Sequence, residues 1–240
     1  MRFYKFFISI FLIFTMCFYI TTPVFSEETT YVWSPNNSSL NDSTNDNSSQ
    51  VKETNSEVDE SNSLSLESGS AILIEQTTGQ VLYSHNAHEQ LRPASVTKVM
   101  SILLIMEALD SNKISLTDSV PCSENAASMG GSQIWLDPRE TLTVDEMLKA
   151  ICVNSANDCV VAMSEFIAGS EEAFVQLMND KAKELGMNDT CFKNCHGLDE
   201  DGHVTSAYDI SLMSRELLVN HPTITNYTTI WTDTLRNRKI

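Results

Sequence analysis

The chain has 240 residues, of which 42% are hydrophobic, and its 32 acidic and 15 basic side chains give a formal net charge of −17. This acidic balance argues against nucleic acid as a partner, because the phosphate backbone binds basic surfaces. Cys191 and Cys195 lack the spaced His or Cys partners that a zinc site requires. We therefore predict neither a metal site nor another cofactor.

The N-terminus has the layout of a secretory signal peptide. Arg2 and Lys5 precede an apolar run over 6–20, which is followed by Ser26 and two acidic residues. The run of about 15 residues is shorter than the ~20 needed to cross a hydrocarbon core, which weakens the alternative of a permanent anchor. We predict a signal peptide over 1–26, export to the cell envelope, and no membrane anchor within the chain.

The composition changes twice along the rest of the chain. Residues 27–67 are mostly Ser, Asn, Thr, Asp and Glu, with few apolar side chains. Such a stretch buries too little surface to offset the entropy lost on ordering, so we predict a disordered linker. Residues 68–240 are long enough for one folded domain.

The folded part is predicted to be α/β, with helices in the majority. It opens with two short apolar runs at 71–74 and 81–83 around a polar, Gly-containing turn, which favours a β-hairpin. The run at 95–109 is apolar almost all round, which is typical of a helix buried at the centre of a domain. A capping box at Thr143 and Glu146 predicts the next helix. Further helices are predicted near 158–167, 170–185 and 205–218, and another strand within 228–235.

Ser95 and Lys98 are the first candidates for chemistry. Their spacing places a hydroxyl and an amine on one face of a helical turn. Pro93 suits a helix start, so Ser95 is expected near the N-terminus, where free N–H groups stabilise a developing oxyanion. Burial of Lys98 would favour its neutral amine, which can take the serine proton. Since Ser-x-x-Lys is common by chance, the motif needs support from elsewhere in the chain.

Ser155 and Asn157 supply that support, in a break between two predicted helices. Ser155 is a candidate proton relay, and Asn157 can donate an amide hydrogen bond to a substrate peptide. The alternative is that Ser155 only caps the following helix, with Asp158 completing a capping box. Ser-x-x-Lys at the start of a buried helix, followed by Ser-x-Asn between helices, is a specific combination.

The motifs resemble, in order and in kind, those of the serine D-alanyl-D-alanine carboxypeptidases, which are low-molecular-weight penicillin-binding proteins. The resemblance extends over about 71–231 and includes segments 129–132, 196–198 and 205–209. It implies a β-lactamase/transpeptidase-like α/β fold, with an antiparallel sheet and a helical subdomain.

The resemblance also implies an acyl-enzyme mechanism. Ser95 would attack the bond between the two terminal D-alanines of a peptidoglycan stem peptide, with Lys98 as the base, and water would release the shortened peptide. β-Lactams would acylate the same serine.

The third motif of that family, Lys-Thr-Gly on a strand, occurs nowhere in this sequence. We therefore expect 68–240 to be an incomplete catalytic domain, truncated at its C-terminus. Two alternatives remain open: a serine β-lactamase, and a non-catalytic fragment that binds cell-wall peptides or penicillin. Glu184 is the candidate β-lactamase carboxylate, but its place at the end of an amphipathic helix favours a solvated charge. A Ser-His-Asp triad would require a histidine near Ser95.

Overall fold

The computed structural model describes residues 66–236 and the backbone of 238–239. These residues belong to one compact unit, Asn62–Ile240. The predicted signal peptide and nearly all of the predicted linker lie outside the described residues.

The predicted β-hairpin is present at the start of the described part. Strand β1 (Ala71–Ile74) pairs antiparallel with β2 (Val81–His85), and Leu73 lies opposite Tyr83. The turn between the strands is closed by the Glu75 carboxylate, which accepts the backbone N–H groups of the two threonines that follow it. Two short apolar runs around a polar, Gly-containing turn therefore predicted this hairpin correctly.

Helices dominate the rest of the unit, as predicted. A 3₁₀ turn (Ala94–Thr97) leads directly into the long central helix α1 (Lys98–Asp110). The other helices, in chain order, are α2 (Glu124–Ala127), α3 (Val144–Asn154), α4 (Asn157–Ala168), α5 (Glu171–Glu184), α6 (Ala207–Asn220) and α7 (Thr225–Thr228). In the described part of the chain, none is long and apolar enough to span a bilayer.

Local sequence signals set the ends of these helices. The Thr143 hydroxyl accepts the Glu146 N–H while the Glu146 carboxylate accepts the Thr143 N–H, so the predicted capping box begins α3. Ser170 caps α5 by accepting the Ala173 N–H. Gly169, at φ +88°, ends α4 in the left-handed conformation that glycine adopts without strain.

Strand prediction was less successful than helix prediction. A second antiparallel pair, β3 (Ser119–Pro121) with β4 (Thr141–Thr143), was not predicted, because three-residue strands are too short to show a clear alternation. The strand predicted within 228–235 is only β5 (Thr234–Leu235), which pairs with β6 (Arg238–Lys239).

Helix α1 lies at the centre of the core, as its apolar pattern predicted. It packs against α4, α5 and α6, and Met100, Leu103 and Ile105 on different sides of it are fully buried. Complete burial of such a side chain stabilises the fold by about 1.5–3 kcal/mol. Because the helix is enclosed, the first residue of α1, Lys98, is buried along with its apolar neighbours.

Candidate active site

The contact predicted between Ser95 and Lys98 is present. Ser95 lies on the exposed 3₁₀ turn, and Lys98, one turn further along, is only 3% exposed. The Lys98 Nζ lies 3.3 Å from the Ser95 Oγ and donates a 2.7 Å hydrogen bond to the carbonyl oxygen of His196. The hydroxyl therefore faces solvent while the amine lies beneath it. The helix was predicted to begin at Ser95, whereas α-helical geometry begins at Lys98.

Burial changes the proton affinity of the Lys98 amine. Desolvation lowers the pKa of Lys98 from 10.5 to about 8, because removing water disfavours its charged form. Its two hydrogen-bond partners are a hydroxyl and a carbonyl, neither of which is negatively charged. At pH 7 roughly one-tenth of the molecules therefore carry a neutral amine beside the serine.

The backbone at Ser95 is held in place by a loop that approaches it closely. Ala94 has φ +46°, a left-handed conformation that costs a non-glycine residue roughly 1–2 kcal/mol. Gly197, at φ +91°, lies so near that a Cβ there would overlap the Ala94 carbonyl oxygen. The Asn194 Oδ1 accepts the Gly197 N–H at 2.7 Å and fixes this loop, 194–198. Only glycine at position 197 allows so close an approach.

Ser155 lies in the predicted break between helices, but it does not cap the second one. It ends α3 with φ +54° and ψ +37°, and the N-cap of α4 is Ala156, which makes no side-chain capping bond. The Asp158 carboxylate instead accepts the backbone N–H groups of Ile134 and Leu136. The alternative of a capping box from Ser155 to Asp158 is therefore wrong.

Asn157 joins α4 to segment 129–132. Its Nδ2 donates to the Gly130 carbonyl at 2.7 Å, and its backbone N–H donates to the Ser132 carbonyl at 2.7 Å. The side chain is 3% exposed, and its Oδ1 is buried without a hydrogen-bond partner. The amide predicted to meet a substrate thus already has a partner within the chain, and its role in binding stays a prediction.

The loop 194–198 adjoins both motifs. Gly197 abuts the turn that carries Ser95, and a Cβ on Gly131 would lie 3.4 Å from the Leu198 side chain and 2.8 Å from the Asn157 Nδ2. Within residues 66–236, no hydrogen bond joins Ser155 or Asn157 directly to the Ser95–Lys98 pair. The two motifs are thus linked through the loop and segment 129–132.

The role of His196 could not be read from the sequence. Its backbone carbonyl is the acceptor for Lys98, and a backbone group leaves no signature in residue type. Its ring instead pairs with Glu171 at 3.4 Å, and burial lowers the pKa of that imidazole. No histidine ring bonds to Ser95 within the described part, so the arrangement there is a serine–lysine pair.

Glu184 lies where the amphipathic pattern placed it, at the exposed end of α5. Its side chain is 67% exposed and pairs with Lys181 at 2.7 Å, which fits a solvated charge. Among the described residues, no group of three His, Cys, Asp or Glu side chains is arranged to hold a metal ion.

Comparison with known proteins gives consistent results. The sequence matches the model of a family described as D-alanyl-D-alanine carboxypeptidase over residues 53–240. The D-alanyl-D-alanine carboxypeptidase DacF of Bacillus subtilis is 58% identical over 173 residues, which are 72% of this chain and 44% of the relative. DacC of Escherichia coli is 37% identical over 164 residues, 66% of this chain and 41% of the relative. The chain spans less than half the length of these curated relatives.

Solved structures show the same likeness. Penicillin binding protein 6B from Escherichia coli has a TM-score of 0.69 and 33% identity, over 72% of this chain and 56% of that one. Penicillin-binding protein D2 from Listeria monocytogenes, in its ampicillin-bound form, has a TM-score of 0.65 and 28% identity, over 74% of this chain and 72% of that one. These likenesses confirm the predicted transpeptidase-like α/β fold.

Proposed function

Because the chain belongs to the D-alanyl-D-alanine carboxypeptidase family of peptidases, we propose that it is a serine-type carboxypeptidase that acts through an acyl-enzyme on Ser95. Its substrates are peptidoglycan stem peptides ending in D-Ala-D-Ala, from which it removes the terminal D-alanine during cell-wall synthesis and remodelling. The observation that carries this proposal is the buried Lys98 amine, 3.3 Å from an exposed serine hydroxyl.

Acylation begins with proton transfer between these two side chains. With a pKa of about 8, roughly one-tenth of the Lys98 amines are neutral at pH 7. The neutral amine takes the Ser95 proton as the Oγ attacks the carbonyl carbon of the penultimate D-alanine. The hydrogen bond to the His196 carbonyl holds Nζ in place through this step. Collapse of the tetrahedral intermediate breaks the peptide bond and expels the terminal D-alanine, whose amine must gain a proton.

Ser155 and Asn157 are proposed to serve this second proton transfer and the binding of the peptide. Ser155 relays a proton from the Lys98 ammonium to the departing amine. Its left-handed backbone turns it out of both flanking helices, and no hydrogen bond ties its hydroxyl to another described residue. Asn157 orients the substrate by donating an amide hydrogen bond to it, and the Oδ1 of this side chain has no hydrogen-bond partner among the described residues. Water then hydrolyses the ester and restores Ser95.

β-Lactams are proposed to acylate Ser95 as mimics of the D-Ala-D-Ala end. Support comes from the Listeria monocytogenes penicillin-binding protein D2, for which ampicillin-bound and cefotaxime-bound forms are known.

We also propose that the protein acts outside the cytoplasmic membrane, because the basic and apolar N-terminal residues have the order of an export signal.

A labelled penicillin tests this proposal. The longest protein that the gene encodes is incubated with the label, the adduct is located by peptide mapping, and D-alanine release from a D-Ala-D-Ala peptide is measured. We expect a persistent adduct on Ser95 together with D-alanine release. Rapid loss of the label would identify a β-lactamase, and the absence of any adduct would identify a non-catalytic binding protein.

A further inference from the structure

The buried residue between Ser95 and Lys98 has a partner that the proposed mechanism does not use. Thr97, fully buried, lies on the same turn, and its Oγ1 is 2.7 Å from the Nε2 of His203. His203 is itself only 2% exposed and lies against the edge of the Phe192 ring. A histidine that meets a hydroxyl inside the core is held there by specific hydrogen bonds, because an unpaired buried polar group is costly.

The hydrogen bond at Nδ1 of His203 determines which nitrogen of the ring carries the proton. The backbone N–H of Lys193 donates to the Nδ1 of His203 at 3.0 Å, so Nδ1 must be unprotonated. A neutral imidazole has one donor and one acceptor, so the proton is on Nε2 and is donated to the Thr97 hydroxyl. His203 therefore connects the turn that carries Ser95 to the chain at Lys193.

Lys193 directly precedes the loop 194–198, which contacts Lys98. In this loop the carbonyl of His196 accepts a hydrogen bond from the Lys98 amine. The carbonyl of Cys195 accepts a 2.6 Å hydrogen bond from the hydroxyl of Ser101, which lies on the next turn of α1. The His203 imidazole thus completes a closed set of contacts, from Thr97 through His203 to the loop 194–198 and back through Lys98. The size of the imidazole ring sets the distance between this loop and the start of α1.

We infer that His203 is a positioning residue for the Ser95–Lys98 pair, holding the His196 carbonyl and the serine turn at the spacing that proton transfer requires. This inference rests on the proposed function of that pair. It concerns the neutral imidazole alone, because an imidazolium has donors on both nitrogens and would set one of them against the Lys193 N–H.

The surroundings of His203 favour the neutral form at neutral pH. Burial lowers the pKa of its imidazole, and the Lys193 ammonium acts in the same direction, against the carboxylates of Glu200 and Asp199. The stability contributed by the neutral ring is therefore complete above the ordinary value of about 6.5 and is lost as the pH falls from there towards the lowered pKa.

A double-mutant cycle tests the inference. Thr97→Val and His203→Leu should each slow acylation by labelled penicillin about 10-fold, since small displacements of reacting groups are costly, and the double variant should be no slower than either. His203→Gln, which keeps an amide donor for Thr97, should recover most of the loss. The control is His221→Leu, which removes a ring bonded to Asp110 at the far end of α1 and should leave the rate unchanged.

Two spectroscopic measurements keep the test independent of catalysis. Imidazole nitrogen shifts at pH 7 should show neutral His203 with its proton on Nε2, and the opposite tautomer would overturn the inference. The NMR-detected pKa of Lys98 should rise in His203→Leu as the amine is exposed to water. Unchanged acylation and an unchanged Lys98 pKa in folded His203→Leu would also overturn it. If wild-type protein is not labelled at Ser95, the proposed function fails, while the Lys98 pKa still decides the role of His203.

Discussion

The two motifs of the site differ in what holds them in place. Lys98 lies at the start of a buried helix, and its amine already has both of its partners, Ser95 and the His196 carbonyl. Ser155 lies in a left-handed break between helices, and Asn157 is bonded to the backbone of segment 129–132. The first motif is therefore preorganised by the core. The second depends on loops, and a ligand would have to complete its contacts.

The largest effect is expected at Ser95, because acylation should depend completely on the nucleophile of the preorganised first motif. Ser95→Ala should abolish labelling by penicillin, because it removes the only hydroxyl bonded to Lys98 in the described part of the chain. The matched control is Ser111→Ala, at the exposed C-terminal end of the same helix, where the hydroxyl bonds only to backbone carbonyls. Undiminished labelling of Ser95→Ala would remove the assignment of the nucleophile.

Lys98→Arg should be nearly as damaging, slowing acylation about 10³-fold. A guanidinium remains protonated and cannot serve as a base, although it keeps the positive charge and much of the length. Lys113→Arg, on the exposed side of the chain after α1, is the control. Acylation of Lys98→Arg at the wild-type rate would show that another group takes the proton.

The wild-type rate should also depend on pH through Lys98. Since the neutral amine is the active form and its pKa is about 8, second-order acylation should rise from pH 6 and level off above pH 8 to 9. The measurement is stopped-flow acylation across this range. A rate that does not change between pH 6 and 9 would contradict a lysine base.

Ser155→Ala should slow acylation about 10²-fold while leaving the melting temperature nearly unchanged. The reason is that Ser155 makes no capping bond to α4, so we expect its loss to affect the proposed proton relay and to leave the fold intact. Ser170→Ala is the converse control, because Ser170 does cap α5: about 1 kcal/mol of stability should be lost with unchanged acylation. A stable Ser155→Ala variant with the wild-type rate would leave the chemistry to Ser95 and Lys98.

The sequence predicted the parts of the fold and site that depend on local signals. The capping box at Thr143 and the apolar pattern of α1 each have a signature in residue type. Two features had none: the His196 carbonyl, which any residue could supply, and the approach of Gly197 to Ala94, which depends on tertiary contact. The three-residue strands β3 and β4 were missed because they are too short to show a period.

The smallest effect, and the sharpest test of the second motif, is expected at Asn157. Asn157→Ala should weaken acylation by penicillin and turnover of a D-Ala-D-Ala peptide together, about 10-fold, and should cost ~1 kcal/mol because the bond to the Gly130 carbonyl is lost. Asn154→Ala is the matched control, since its Nδ2 donates to the Gln133 carbonyl at 3.0 Å, near the same segment. It should lower the melting temperature similarly and leave the rates almost unaltered. If both variants slow acylation equally, Asn157 acts only by anchoring the segment, and its role in orienting the ligand is wrong.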